Sequence, residues 1–178
     1  MTAAGSWRPD PDSVEPSDTG YLARTAIELL TSSGRTVAVA ESLTGGLVTG
    51  ALTSIAGASV VVRGGIVAYA TDLKAVLLGV PADLLARQGP VDPDVAMAMA
   101  EGVRRLLGAT YGVATTGVAG PGPADGKPQG TVFVATAGLT ETSCDEFAGM
   151  AGDRQQVREA TVRSALSLLI RALREDAS

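Results

Sequence analysis

R-T-V-A-V-A-E-S-L-T-G-G-L-V-T-G-A-L, residues 35–52, is the stretch on which the fold turns. Val37 to Ala40 is an apolar run too short for a helix and β-branched enough for a buried strand. The chain then passes through Glu41-Ser42-Leu43-Thr44-Gly45-Gly46 into a small-residue, helix-compatible segment that ends near Ser54. A strand that turns into a helix in this way leaves the first helical N–H groups unpaired, at a point where the helix dipole favours negative charge. Ser42 stands at the mouth of those donors, and Gly45 and Gly46 let another molecule approach the backbone without a Cβ in the way. Two readings fit: a nucleophile or anion cradle, or a helix capped by Ser42 or Thr44 after a tight turn.

Outward from this stretch, turn signals separate further elements. Residues 1–17 are rich in Pro, Ser and Asp without periodicity, which predicts a disordered leader before a single domain over 18–176. Asp18 or Thr19 can cap a helix to Ser33, with Leu22, Ala26, Leu29 and Leu30 on one face and Gly34 as its stop. Val60–Tyr69 reads as a second strand, with Gly64 and Gly65 marking a bulge or a close backbone contact. Helices follow over Thr71–Leu78 and Pro81–Gln88, and a longer one starts at Asp92-Pro93, with Val95, Met99, Val103, Leu106 and Leu107 as its apolar face. Tyr111–Thr116 is a strand that runs into the glycine loop 117–123. Gly130–Ala137 and Cys144–Met150 form a strand pair, and Asp153 with Gln156 makes a capping box for a last helix with Val157, Ala165, Leu169, Ile170 and Leu173 inward. The alternation predicts a three-layer α/β/α sandwich with a mixed, mostly parallel sheet of five to six strands and one antiparallel pair.

Composition narrows the chemistry. The 178 residues carry a net charge of −5, which argues against a nucleic-acid partner held by a basic surface. No apolar run approaches the roughly 18 residues of a membrane span, and the N-terminus lacks a signal-peptide pattern, so a cytoplasmic protein without a membrane partner is expected. The chain has no histidine, which removes Ser-His-Asp triads and imidazole metal sites. Cys144 is its sole cysteine, so neither a disulfide nor a thiolate zinc site can form within the chain. No metal and no cofactor are expected. Lys74 and Lys127 are the only lysines among 14 basic residues, and lysine, unlike arginine, can serve as a neutral base when desolvated. Lys127, in a polar turn, reads as an ordinary surface cation.

Ligands of open α/β sheets bind beyond the carboxyl ends of the strands, which here gathers the loops 41–46, 69–74 and 115–122. Neither glycine loop fits G-x-x-x-x-G-K-[ST] or G-x-G-x-x-G. What remains suits nucleophilic attack by Ser42, with Lys74 as the proton acceptor and the N–H groups near Thr44, Gly45 and Gly46 as an oxyanion hole. Tyr69 could orient or relay a proton, or could be a strand-end aromatic with its hydroxyl in water. Thr116 could equally be a β-branched strand end, and Arg154 a solvated residue of a first helical turn.

A-E-S-L-T-G-G (40–46), G-G-I-V-A-Y-A-T-D-L-K (64–74), T-G-V-A-G-P (116–121), K-P-Q-G-T-V (127–132) and G-D-R (152–154) together resemble the CinA C-terminal domain family over about residues 20–174. Characterised enzymatic members of that family are nicotinamide mononucleotide amidohydrolases, also called nicotinamide-nucleotide amidases. The resemblance implies hydrolysis of nicotinamide mononucleotide to nicotinate mononucleotide and ammonia, without a metal, by a stand-alone domain that forms a homodimer or higher homo-oligomer. It also implies Ser42 as nucleophile, Lys74 as its base, and Tyr69, Thr116 and Arg154 as supporting site residues. By the same resemblance and the loop chemistry, Thr44, Gly45, Gly46, Gly117, Gly120 and Arg154 are the expected substrate-binding set. The alternative is a non-catalytic nucleotide-binding module connected with competence or DNA-damage responses. Three positions depart from the family pattern: Leu43 replaces a common cysteine, Val62 an aromatic, and Thr71 an asparagine.

Overall fold

The computed structural model describes residues 18–177. The leader expected over 1–17 lies outside the described residues. Helix α1 (Thr19–Ser33) begins where Asp18 accepts hydrogen bonds from the N–H groups of Gly20 and Tyr21, and ends where Gly34 adopts φ 64°. Strand β1 (Val37–Glu41) is buried along its whole length. It is followed by α2 (Leu47–Thr53) and, after a 3₁₀ turn, by β2 (Val62–Val67). Helices α3 (Thr71–Leu78), α4 (Ala82–Gln88) and α5 (Pro93–Leu107) precede β3 (Tyr111–Gly117). Strands β4 (Val132–Ala137) and β5 (Thr142–Phe147) lead to α6 (Arg154–Glu175), which opens with the expected capping box.

The five strands form one sheet in the order β2-β1-β3-β4-β5. β1 pairs in parallel with β2 and β3, whereas β4 is antiparallel to both β3 and β5. There are thus two antiparallel ladders rather than the one expected. The cause is the connection after β3: residues 118–131 contain no helix, so the chain cannot cross over and returns beside the strand it has left. Four strands still share a direction, and β4 alone opposes them. The register between β1 and β2 slips at Arg63, since Val37 faces Val62 but Ala38 faces Gly64. That is the bulge the paired glycines suggested. Gly65 also supplies the close contact, because a Cβ there would stand 2.1 Å from Thr49 Oγ1.

Two cores flank the sheet. Val37, Val39, Val113, Val132 and Val134 face α1, α2 and α6, where Leu30, Leu52, Leu166 and Leu169 fill the space. The opposite face is nearly all alanine, from Ala38, Ala40, Ala114, Ala135 and Ala137, and lets α5 settle close. A Cβ at Gly112 would lie 2.0 Å from the Ala100 carbonyl oxygen, which shows how near α5 comes to β3. α3 docks on α5 through the same device, since a Cβ at Gly102 would lie 2.0 Å from the Leu78 carbonyl oxygen. Along α5, Val95, Met99 and Val103 are inward as expected, but Leu106, in the last turn, is 53% exposed. No described helix is long and apolar enough to cross a membrane.

Candidate functional site

A cavity of about 220 Å³ opens beyond the carboxyl ends of β1 and β3, and Ser42, Lys74, Thr116 and Arg154 are among its lining residues. Ser42 extends β1 by one residue: its N–H donates to Thr115 O at 3.0 Å, continuing the ladder with β3. Its side chain meets Lys74, whose Nζ lies 3.0 Å from Ser42 Oγ and 2.9 Å from Ala68 O. Lys74 comes from the first turn of α3 and is only 1% exposed. Burial pulls its amine below the ordinary lysine value of 10.5, and the carboxylate of Asp125 partly opposes that. A neutral amine has two hydrogens and one lone pair. With one hydrogen on Ala68 O, the lone pair is left to accept the Ser42 hydroxyl proton.

The turn after Ser42 differs from the sequence expectation. Helix α2 has Gly46 as its N-cap and no local side-chain cap, so neither Ser42 nor Thr44 fills that role. The buried carboxylate of Glu41 takes it instead. It accepts from the N–H groups of Gly46, Val48 and Thr49 at 2.9, 3.0 and 2.8 Å and from Thr49 Oγ1 at 2.7 Å. The Gly45 N–H turns back to Ser42 O at 3.1 Å. Thr44 is fully buried, with Oγ1 2.8 Å from Thr115 Oγ1. Thr44, Gly45 and Gly46 therefore do not line the cavity, and the glycine N–H groups do not point into it. The helix dipole is already occupied by a carboxylate of the chain itself. By contrast, Leu43 lines the cavity, and its N–H has no acceptor among the described residues.

The remaining expected residues come together. Tyr69 Oη accepts from Arg154 Nη2 at 2.9 Å, while Arg154 Nη1 donates to Gly120 O at 2.6 Å. One guanidinium thus ties the β2–α3 loop to the glycine loop after β3. Gly117 and Gly120 both line the cavity, and each is packed from behind: an added Cβ would lie 2.6 Å from Thr131 O and 2.4 Å from Gln129 Cδ, respectively. Thr116 is buried on the cavity wall and donates its hydroxyl hydrogen to Pro90 O at 2.6 Å, so it holds the wall formed by Pro90 and Val91. Lys127 does not line the cavity.

Sequence reasoning missed two residues of this arrangement besides Glu41. Arg158, on α6, donates from Nε to Leu43 O and from Nη2 to Thr44 O, both at 3.0 Å, and so fixes the turn that carries Ser42. Its position one helical turn beyond Arg154 was the available signal, since the two residues share a face of α6. Asp125 is the other: it lines the cavity from the hairpin that the sequence reads only as a polar turn.

The family model for the CinA C-terminal domain matches residues 20–173. The chain belongs to the CinA C-terminal domain family. It is 52% identical to a CinA-like protein of Frankia casuarinae over 145 residues, which are 82% of this chain and 33% of that protein. It is 49% identical to a CinA-like protein of Syntrophus aciditrophicus over 146 residues, 82% of this chain and 35% of that one. The chain thus spans about a third of the length of the curated relatives it matches. Among solved structures, it is similar to the competence/damage inducible protein CihA of Agrobacterium tumefaciens, with TM-score 0.84, 42% identity, and coverage of 90% of this chain and 98% of that one. The fold described above is therefore that of a CinA C-terminal domain. No group of three or more metal-ligating side chains occurs among the described residues of this one.

Proposed function

We propose that this CinA C-terminal domain hydrolyses the carboxamide of nicotinamide mononucleotide, giving nicotinate mononucleotide and ammonia, through a covalent intermediate on Ser42. The observation that carries the reading is a lysine amine, buried and lowered in basicity, 3.0 Å from the serine oxygen. Ser42 Oγ attacks the carboxamide carbon as its proton passes to Lys74 Nζ. The resulting oxyanion is within the province of the unspent Leu43 N–H, which directly follows the nucleophile. Collapse of the tetrahedral intermediate breaks the C–N bond, and Lys74 returns the proton to the departing nitrogen, so that ammonia leaves neutral. Water then attacks the acyl carbon, Lys74 takes its proton, and the acid is released with Ser42 regenerated. Arg154, held at the cavity mouth, is suited to the substrate phosphate.

Ammonia release from nicotinamide, its riboside and its mononucleotide tests this reading, with turnover expected for the mononucleotide. Binding of the mononucleotide without any ammonia would replace it by a non-catalytic nucleotide-binding module. The homo-oligomeric state that the family resemblance implies belongs to the same proposal, and light scattering reads it directly.

A further inference from the structure

Two charged side chains that line the cavity make no ion pair among the described residues, although the field of one, Asp125, reaches Lys74. Arg154 is held by a carbonyl and a phenol, both neutral, and meets no carboxylate among the described residues. Asp125 is the only carboxylate among the cavity-lining residues and makes no hydrogen bond or ion pair with a described residue. It stands at the tip of a two-residue hairpin closed by Ala124 N–H to Lys127 O at 3.1 Å and Lys127 N–H to Ala124 O at 2.9 Å. Asp125 has φ 51° and Gly126 φ 73°, the backbone that an Asp-Gly type I′ turn adopts. Aspartate is a good former of such a turn and needs no ligand to explain its identity. Its placement is what needs explaining, since the hairpin lies against the cavity so that Asp125 lines it, with its charge felt at Lys74, while the turn's other charge, Lys127, does not line it.

A cation and an anion lining the same cavity, neither in an ion pair among the described residues, suit a ligand that carries both signs. Resting on the amidohydrolase reading, we propose that Asp125 is the counter-ion of the substrate's positively charged pyridinium ring, so that the site selects the cationic ring over an uncharged dihydropyridine ring. The ring is bonded to the carboxamide carbon that must reach Ser42, so its charge lies within a few ångströms of that serine and on the open side of the cavity. Once Lys74 has given up its proton, as its role as base requires, it adds no repulsion to the ring, and Arg154 is left for the phosphate. Hydrolysis converts the neutral carboxamide to a carboxylate, which Asp125 repels, so the same residue favours release of product.

The test compares nicotinamide mononucleotide with its dihydropyridine form, in the native chain and in Asp125→Asn. Both are assayed for ammonia at a pH high enough that Lys74 is fully neutral in each protein. Asparagine keeps the left-handed turn, so the hairpin is retained. The expected result is a rise in KM of about fivefold or more for the cationic substrate in Asp125→Asn, with kcat/KM for the uncharged one no lower than native. An equal loss on both substrates, or no loss on the cationic one, would overturn the assignment. Calorimetric binding of both nucleotides to Ser42→Ala, with and without Asp125→Asn, gives a readout independent of turnover. Weakening confined to the cationic form supports the counter-ion even in a chain that releases no ammonia, whereas equal weakening of both forms removes it.

Discussion

Burial of a lysine to 1% exposure beside a serine disfavours its charged form. Lys74 keeps its place, with Nζ anchored on Ala68 O, and burial lowers its proton affinity. Arginine cannot follow it, because the guanidinium stays charged and does not fit the same space. Ser42→Ala and Lys74→Arg are therefore each expected to reduce ammonia release by about 10³-fold or more, while circular dichroism of Ser42→Ala stays native. The pH profile follows from the same residue. Activity requires neutral Lys74, so it rises with pH along an acid limb whose midpoint lies below 10.5. Asp125 stabilises the ammonium form, so Asp125→Asn moves that midpoint to still lower pH. A limb that stayed in place, or moved upward, would separate the base from Lys74.

At the scale of elements, the turn between β1 and α2 illustrates why local pattern reading reached the site but misassigned its donors. A glutamate at a strand end reads as a surface residue, and only the assembled sheet reveals that Glu41 is buried beneath four donors. Glu41→Ala leaves those donors without an acceptor and is expected to cost about 3 kcal/mol or more in urea unfolding. Gly102 makes the converse point within α5. In an isolated helix Gly→Ala gains about 1 kcal/mol, yet here the added Cβ meets the Leu78 carbonyl, a backbone atom that cannot rotate aside. Gly102→Ala is therefore expected to destabilise, by about 1–3 kcal/mol. Features written within a few residues of one another were legible: the Asp92-Pro93 start, the Asp153–Gln156 capping box and the αL Gly34 that ends α1. Ser42 and Lys74 were legible too, because sheet topology brings together the ends of neighbouring parallel strands. What depends on partners far along the chain was not, as with Arg158, which reaches back 115 residues to Leu43, and with the placement of β4 beside β3.

Taken as a whole molecule, the domain carries opposed alkaline titrations at the two ends of its sheet. Beyond the carboxyl ends sits Lys74, and near the start of β3 sits Tyr111, whose hydroxyl donates to Asp176 Oδ2 and accepts from Arg35 Nη1, both at 2.6 Å. Burial, followed by the Asp176 carboxylate, pushes Tyr111 from 10.0 up to about 12. Between those values the unfolded chain loses a proton that the folded chain retains, so stability falls as pH rises from 10.0 to about 12. Cys144, raised by burial from 9.0 to about 11, contributes a fall of the same sign. Lys74 acts in reverse: its folded value is the lower one, so the unfolded chain binds the extra proton and stability rises with pH up to 10.5. Thermal unfolding across this range separates the terms by variant. Lys74→Met, close in size and never charged, removes the rising step. Desolvation is the dominant cause of the lysine's shift, so this variant should melt higher than native at neutral pH, by a few degrees for each 1 kcal/mol or so of relief. Tyr111→Phe removes the tyrosine's share of the fall between 10.0 and about 12, leaving that of Cys144 up to about 11, and lowers stability at neutral pH by about 1–3 kcal/mol through the hydrogen bonds lost from Asp176 and Arg35. A Lys74→Met chain that gained no stability while losing all activity would mean that the lysine's other contacts, to Ala68 and Ser42, outweigh its burial, and that the reactive end of the sheet costs the fold nothing.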